Sequence, residues 1–114
     1  MSRDKWPRRL DDILYRIDLL KDIVKGKQSE SDLNITELTA IERHFEIIGE
    51  AVNHIPGDIK KQYPQIEWDS LYGMRNIIVH AYDIVLPSVL FYSAVNELDL
   101  LQKTITQIKA AHIP

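Results

Sequence analysis

The chain has 114 residues, 45% of them hydrophobic, and carries a formal net charge of −3 at pH 7. That length suits one domain with a single core and is too short for two ordinary domains, so we expect one domain over residues 1–114. The absence of cysteine excludes disulfides and thiolate metal sites, and the mild acidity excludes a uniformly basic nucleic-acid-binding domain.

Helical periodicity begins in the first quarter of the chain. Pro7 suits the first turn of a helix, where its missing N–H costs nothing, and Gly26 is a typical helix stop. The polar stretch KQSESDLN that follows predicts a loop. Between Pro7 and Gly26, apolar residues recur at steps of three and four and predict one amphipathic helix: Leu10, Ile13, Leu14, Ile17, Leu20 and Val24.

A second helix is predicted from residue 34 to the Pro56-Gly57 pair. Asn34 and Glu37 have the spacing of a capping box. Gly49 lies inside this helix, where it costs about 1 kcal/mol relative to alanine, so we expect a close approach of another helix there. The apolar seam has the same three- and four-residue steps: Leu38, Ile41, Phe45, Ile48, Val52 and Ile55.

Three further helices are predicted in the second half. Asp58 begins a short helix that ends before Pro64, Asp69 caps a longer one, and Pro87 lies near the start of the last. No segment shows sustained two-residue alternation, so no sheet is expected. The predicted fold is an all-α, four- to five-helix up-and-down bundle. The buried side of the last helix is predicted to comprise Val89, Leu90, Leu98, Leu101, Ile105 and Ile108.

The segment RNIIVHAY, residues 75–82, combines polar and strongly apolar side chains on one predicted helix. At about 100° per residue, Ile77 and Ile78 turn inward, together with Leu71, Met74 and Ala81. An outward Val79 indicates that this face meets a partner, such as a second subunit. If the helix continues to Tyr82, the outward arc consists of Arg75, Asn76, Val79, His80 and Tyr82.

Arginine and histidine on one face can cleave RNA without a metal ion. Arginine offers a charged fork of donors that matches phosphate oxygens, and histidine can move a proton near neutral pH. Because one histidine cannot easily act as base and acid in the same step, a symmetric dimer would supply the second. Arg75 and His80 are only five residues apart, however, and that spacing is common by chance, so from spacing alone a solvated helix face on which His80 caps or hydrogen-bonds locally is the favoured interpretation.

Other charged side chains have simpler interpretations. Glu42, Glu46 and Glu50 share one helix face, but no HExxH-type ligand set accompanies them, so we interpret them as solvated or salt-bridged. Glu50 is the exception, because it can orient Arg75 or His80 if the two helices pack together. Basic residues form two stretches: Arg3, Lys5, Arg8 and Arg9 in the first, and Lys60 and Lys61 in the second. Each stretch could bind an RNA backbone or simply face solvent.

The start of the sequence also bears on location. The first residues, MSRDKWPRRLDD, lack the apolar segment of a signal peptide. No apolar run approaches the length of a membrane-spanning helix. Together with the absence of cysteine, these features predict a cytoplasmic protein that makes no membrane contact.

Three blocks of the sequence resemble one known family. RNIIVHAY matches the R-x4-H-x-Y motif of HEPN domains, and of HepT-like toxins in particular. Three segments resemble successive helices of that family, in chain order RRLDDILYRIDLLKDIV, IERHFEIIGEAVNHIP and WDSLYGMRNIIVHAY. The resemblance therefore covers nearly the whole chain. The segment with Leu86 and Pro87 departs from the more polar turn of many relatives. The resemblance implies a bundle that dimerises through its motif-bearing face.

The same resemblance implies a function. It indicates a metal-independent endoribonuclease that needs no cofactor and serves as the toxin of a type VII-like toxin–antitoxin pair. Its partner would be an MntA-type nucleotidyltransferase that neutralises it by AMPylation of the motif tyrosine. Residue by residue, Arg75 and His80 become catalytic, Asn76 an accessory residue and Tyr82 the modified residue. Two alternatives stay open: a non-catalytic bundle that docks the nucleotidyltransferase and presents Tyr82, and a purely structural helical dimer.

Overall fold

The structure, a computed structural model, describes residues 5–114. Within that range the regular structure is helical and contains no β-strand, which confirms the predicted all-α class. Two short 3-10 turns, Glu30–Asp32 and Tyr82–Ile84, lie in the connections. The α-helices are α1 (Trp6–Val24), α2 (Ile35–Asn53), α3 (Gly57–Lys60), α4 (Trp68–His80), α5 (Pro87–Asn96) and α6 (Leu98–His112).

The first two long helices begin and end where the sequence chemistry predicts. Pro7 lies in the first turn of α1, and Gly26 beyond its end has a φ of 77°, a conformation that favours glycine. The Asn34 side chain accepts a hydrogen bond from the Glu37 N–H at 2.8 Å, and the Glu37 carboxylate accepts from the Asn34 N–H at 2.9 Å. This reciprocal capping box satisfies two amide groups that the first turn of α2 leaves unpaired.

The second half departs from the prediction in detail. α3 begins at Gly57, ahead of Asp58, and α4 begins at Trp68, so Asp69 lies in its first turn rather than capping it. The single last helix is in fact two, because Glu97 interrupts it between α5 and α6. Val89 is 50% exposed instead of buried. The ten-residue α5 turns a narrow stripe inward, formed by Leu90, Ser93 and Ala94, and Val89 lies beside that stripe.

α2 is the central helix of the bundle. α1 and α4 pack against it most extensively, and α6 covers α1. Each buried leucine or isoleucine contributes about 1.5–3 kcal/mol relative to an exposed position. α4 contributes only Trp68 and Ile78 to the fully buried set, so its motif-bearing end lies at the margin of the core. The centre consists of Leu10, Ile13, Ile17 and Leu20, of Ile41, Phe45, Ile48 and Val52, and of Leu98, Leu101, Ile105 and Ile108.

Among residues 5–114, no helix is both long enough and apolar enough to cross a membrane.

Candidate functional site

The site is built around the contact between α2 and α4. A Cβ atom added to Gly49 of α2 would overlap Arg75 Cβ and lie 2.8 Å from the carbonyl oxygen of Leu71. The two helices therefore approach as closely as a residue without a side chain allows. This confirms the predicted close approach at Gly49 and locates it within the bundle. It also fixes the backbone of Arg75 against α2.

The Arg75 guanidinium is held by neighbours on both helices. Its Nε lies 3.1 Å from Glu50 Oε2, as an ion pair without hydrogen-bond alignment, and its Nη1 donates to Asn76 Oδ1 at 2.8 Å. Its Cζ lies 5.8 Å from the centre of the Tyr72 ring, within cation–π distance. The Arg75 side chain is 23% exposed, so part of it still reaches solvent, although its Nε is buried. The structure thus brings together three of the predicted site residues, Arg75, Asn76 and Glu50.

Glu50 has a second neighbour that the sequence interpretation missed. The ring Nε2 of His54 lies 3.3 Å from Glu50 Oε1. One Glu50 oxygen therefore contacts His54 while the other contacts Arg75. The four-residue spacing of Glu50 and His54 on one helix is the signal that would have revealed this pair.

His80 is the last residue of α4 and is exposed. Five residues separate it from Arg75, which corresponds to about 140° around the helix axis. Arg75 therefore faces α2, whereas His80 lies at the open end of α4. The prediction that Arg75 and His80 share one outward arc is therefore wrong for Arg75, which packs against Gly49 of α2, and in a single copy of the chain the two side chains point in different directions.

Tyr82 does not lie on α4, so the condition under which it would join the outward arc, a helix that continues to Tyr82, is not met. The helix ends at His80, Ala81 adopts φ −141° and ψ 48°, and a 3-10 turn follows. The residue before a proline avoids the helical conformation, and Leu86, which precedes Pro87, is extended at φ −96° and ψ 124°. The chain must therefore leave the helix before that point. Tyr82 is 77% exposed, so its hydroxyl is open to another protein.

An exposed apolar surface adjoins the motif. Val79 is exposed, as predicted, but Ile77, predicted to face the core, is 45% exposed. The physical reason is that α5 lies off to one side and leaves a gap of about 410 Å³ against α4. We call this gap the apolar groove; its lining includes Gly73, Met74, Ile77, Ile84, Leu86 and Val89.

Two glutamates of α2 pair with arginines. Glu46 pairs with Arg43 at 3.2 Å, and Glu50 pairs with Arg75. The salt-bridged interpretation is therefore confirmed for Glu46, and Glu50 makes the contact with Arg75 that was expected of it as the exception. Over residues 5–114, no group of three or more histidine, aspartate and glutamate side chains is arranged to hold a metal ion.

The remaining histidines lie in separate environments. The Arg16 guanidinium lies 3.1 Å from His44 Nδ1, and burial together with that positive charge lowers the pKa of His44. The neutral ring can then accept a hydrogen bond from Arg16. His112 packs edge-on against Tyr63 with the ring centres 6.2 Å apart. Neither histidine joins the surroundings of Arg75.

Comparison with known proteins gives a consistent result. A family model described as "Ribonuclease HepT-like" matches residues 13–108. A candidate RNase of Caldanaerobacter subterraneus subsp. tengcongensis is 32% identical over 106 residues, which cover 91% of this chain and 95% of that protein. A candidate RNase of Methanocaldococcus jannaschii is 39% identical over 74 residues, covering 64% of this chain and 61% of that protein. A protein of Thermococcus cleftensis named "Probable ribonuclease HepT" is 37% identical over 75 residues, covering 64% of this chain and 67% of that protein. No solved structure matches.

Proposed function

This chain belongs to the ribonuclease HepT-like family, and we propose on that basis that it is an endoribonuclease with Arg75 and His80 as its catalytic residues. The observation that carries the proposal is the fixed position of Arg75. Gly49 sets its backbone against α2, and Glu50 and Asn76 hold its guanidinium. A charge held in place before the substrate arrives stabilises a transition state without reorganisation cost. His80, on the same helix, is open to solvent and can exchange protons.

The proposed reaction is transesterification at an RNA phosphodiester. The 2′-oxygen attacks phosphorus, the bond from phosphorus to the 5′-oxygen breaks, and the products are a 2′,3′-cyclic phosphate and a 5′-hydroxyl. One histidine takes the proton from the 2′-OH, and another gives a proton to the departing 5′-oxygen. Arg75 stabilises the negative charge that builds up on the phosphoryl oxygens. These groups complete the proton and charge balance by themselves, so we propose that cleavage needs no metal ion and no cofactor.

A homodimer would supply the second histidine. Arg75 and His80 point in different directions within one copy, and the apolar groove beside them exposes side chains that monomers usually cover. We propose that two copies pair through this motif-bearing face, so that each cleft combines residues of both copies. Light scattering should then give twice the 13.3 kDa mass of one chain. A mass of 13.3 kDa at working concentration would contradict the composite site.

We further propose that the protein is the toxin of a toxin–antitoxin pair and acts on cytoplasmic RNA. The partner would be an MntA-type nucleotidyltransferase antitoxin. The Tyr82 oxygen would attack the α-phosphorus of ATP, pyrophosphate would leave, and the tyrosine proton would pass to solvent. Tyr82 is 77% exposed on its turn, which supports access by such an enzyme. The added AMP would place bulk and a negative charge two residues from His80 and repel the RNA backbone.

The substitution Tyr82→Phe tests this regulation. The variant should remain toxic when the partner is co-expressed, because it lacks the accepting oxygen, whereas the wild-type protein should be silenced. Tyr92→Phe is the matched control, since Tyr92 is also exposed but lies on α5, and it should be silenced like the wild type. Growth after induction and the intact mass of the purified protein are the two measurements. Silencing of Tyr82→Phe, or an unmodified mass for silenced wild type, would contradict AMPylation at this residue.

A further inference from the structure

A second cavity, lined in part by Arg75, shares no lining residue with the apolar groove. It has a volume of about 190 Å³ and lies among α1, α2 and α4. We call it the polar pocket; its lining comprises Arg9, Arg43, Glu46, Ile47, Glu50 and Arg75. At about 30 Å³ per water molecule it has room for about six waters, enough for a phosphodiester group. Arg9 belongs to the basic stretch near the start of the sequence, whereas Arg3 of that stretch lies outside the described residues.

The charge of the polar pocket suits one anion. Three arginines and two glutamates line it, so its net charge is 3 − 2 = +1, in a chain whose net charge is −3. Both glutamates are already paired, Glu46 with Arg43 and Glu50 with Arg75. Arg9 has no such partner among residues 5–114 and carries the excess charge. A phosphodiester carries one negative charge and would neutralise the pocket.

The donors left in the pocket also suit phosphate. Arginine presents up to five N–H groups in a planar fork; Arg75 donates one to Asn76, and its Nε lies 3.1 Å from Glu50 without hydrogen-bond alignment. The Arg43 side chain is 63% exposed and its pairing with Glu46 uses only Nη1, so it can turn a second edge toward a ligand. The N–H groups of the three arginines can therefore reach two neighbouring phosphates on one strand, of which the excess charge of the pocket balances one. Arg75 would hold the reacting phosphate, and Arg9 with Arg43 would hold its neighbour.

We propose that the polar pocket is a subsite for the RNA phosphate adjacent to the one that is cleaved, with Arg9 and Arg43 as its ligands. This inference rests on the proposed ribonuclease function and specifies how the substrate lies. The strand would run from Arg75 across α2 toward α1. RNA is the occupant favoured over an acidic protein segment, because the pocket shares Arg75 with the proposed catalytic site. A strand bound in the pocket would therefore lie directly beside the proposed catalytic arginine.

The test compares the full-length wild-type protein with the double variant Arg9→Gln/Arg43→Gln. The probe is a single-stranded RNA of about eight nucleotides, within the range of one small binding surface, with every 2′-OH methylated so that it cannot be cleaved. Each phosphate contact with a single strand contributes about 0.7 to the slope of log affinity against log salt. We expect the double variant to lose about 0.7 from that slope, which corresponds to about fivefold weaker binding at about 0.1 M salt. Thermal melting of both proteins checks that the fold is kept.

Two comparisons separate the subsite from general charge. The control Lys25→Gln/Lys103→Gln removes two exposed lysines outside the pocket, and its salt slope should match the wild type. A dinucleotide with a single phosphate should be cleaved equally well by wild type and Arg9→Gln/Arg43→Gln. An unchanged slope for the pocket variant, or an equal loss in the control, would overturn the subsite. If the pocket variant binds RNA normally but no longer binds the nucleotidyltransferase, the pocket belongs to that partner, and the proposed RNA subsite is overturned as well. Because the methylated RNA is never cleaved, failure of the nuclease proposal would show separately, as no cleavage of ordinary RNA by the wild type.

Discussion

Replacing Arg75 or His80 by alanine is expected to abolish RNA cleavage while leaving the bundle folded. Loss of a fixed charge at the transition state lowers kcat by about 100-fold or more, and loss of a proton-transfer group lowers it by a similar factor. The His80 side chain is exposed, so His80→Ala removes no core packing. Arg75→Ala removes the arginine partner of Glu50, but Glu50 keeps its contact with His54 and, at 40% exposed, can be solvated by water. Cleavage rates on one RNA and thermal melting of each protein are the measurements.

Two control variants test whether the loss of cleavage is specific to these two residues. Arg75→Lys keeps the positive charge but loses the planar fork, so its rate should fall between wild type and Arg75→Ala. Lys103→Ala removes an exposed charge on α6, away from the motif, and should cleave at the wild-type rate. If Arg75→Ala and His80→Ala both cleave as fast as Lys103→Ala, the two residues are not catalytic.

The second large effect is expected from Gly49→Ala, on the free energy of unfolding. The added Cβ would overlap Arg75 Cβ and lie 2.8 Å from the Leu71 carbonyl oxygen, and both are parts of the α4 framework that cannot swing aside. α2 and α4 must therefore move apart along the most extensive contact of the bundle. Such overpacking costs about 1–3 kcal/mol or more and outweighs the gain of about 1 kcal/mol from better helix propensity. Arg75 moves with α4, so cleavage should fall as well.

Denaturant unfolding of Gly49→Ala beside Gly57→Ala measures this effect. Nothing lies within 4 Å of a Cβ added to Gly57, so that substitution should change stability little. A Gly49→Ala protein as stable as the wild type would show that α2 and α4 are not held at this distance. Loss of cleavage with unchanged stability would instead indicate that Arg75 alone is displaced.

Local sequence signals predicted most of the fold because they report local physics. The capping box of Asn34 and Glu37, Pro7 in the first turn and Gly26 past the end of α1 all lie where the sequence predicts. The apolar periodicity of the first two helices likewise matches their buried faces. Such features involve contacts within one or two turns, and no knowledge of neighbouring helices is required.

Features that depend on the packing of several helices were not predictable in the same way. Ile77 and Val89 follow the helical pattern of buried residues, yet both are exposed, because α5 leaves the apolar groove open against α4. The break at Glu97 has no proline or glycine to announce it. The one sequence feature that indicates the end of α4 at His80 is Pro87, seven residues later. Helical geometry alone therefore could not predict that the end of α4 moves Tyr82 off the helix.

The candidate site shows the same division. Arg75, Asn76 and His80 were accessible from the motif and its family resemblance, and the pairing of Glu50 with Arg75 was expected only if the helices packed together. That condition is met through Gly49. The approach of Arg9 and Arg43 to Arg75 required the structure, because these arginines come from three different helices.

The most direct test of the central claim is incubation of purified wild-type and His80→Ala protein with total cellular RNA in the presence of EDTA. Intact mass should first show that Tyr82 is unmodified. Discrete fragments that end in 2′,3′-cyclic phosphate and 5′-hydroxyl groups are expected with the wild type, and intact RNA is expected with His80→Ala. Equal cleavage by both proteins would remove His80 from the mechanism. Intact RNA with both proteins would contradict the metal-independent nuclease and favour a bundle that docks the nucleotidyltransferase and presents Tyr82.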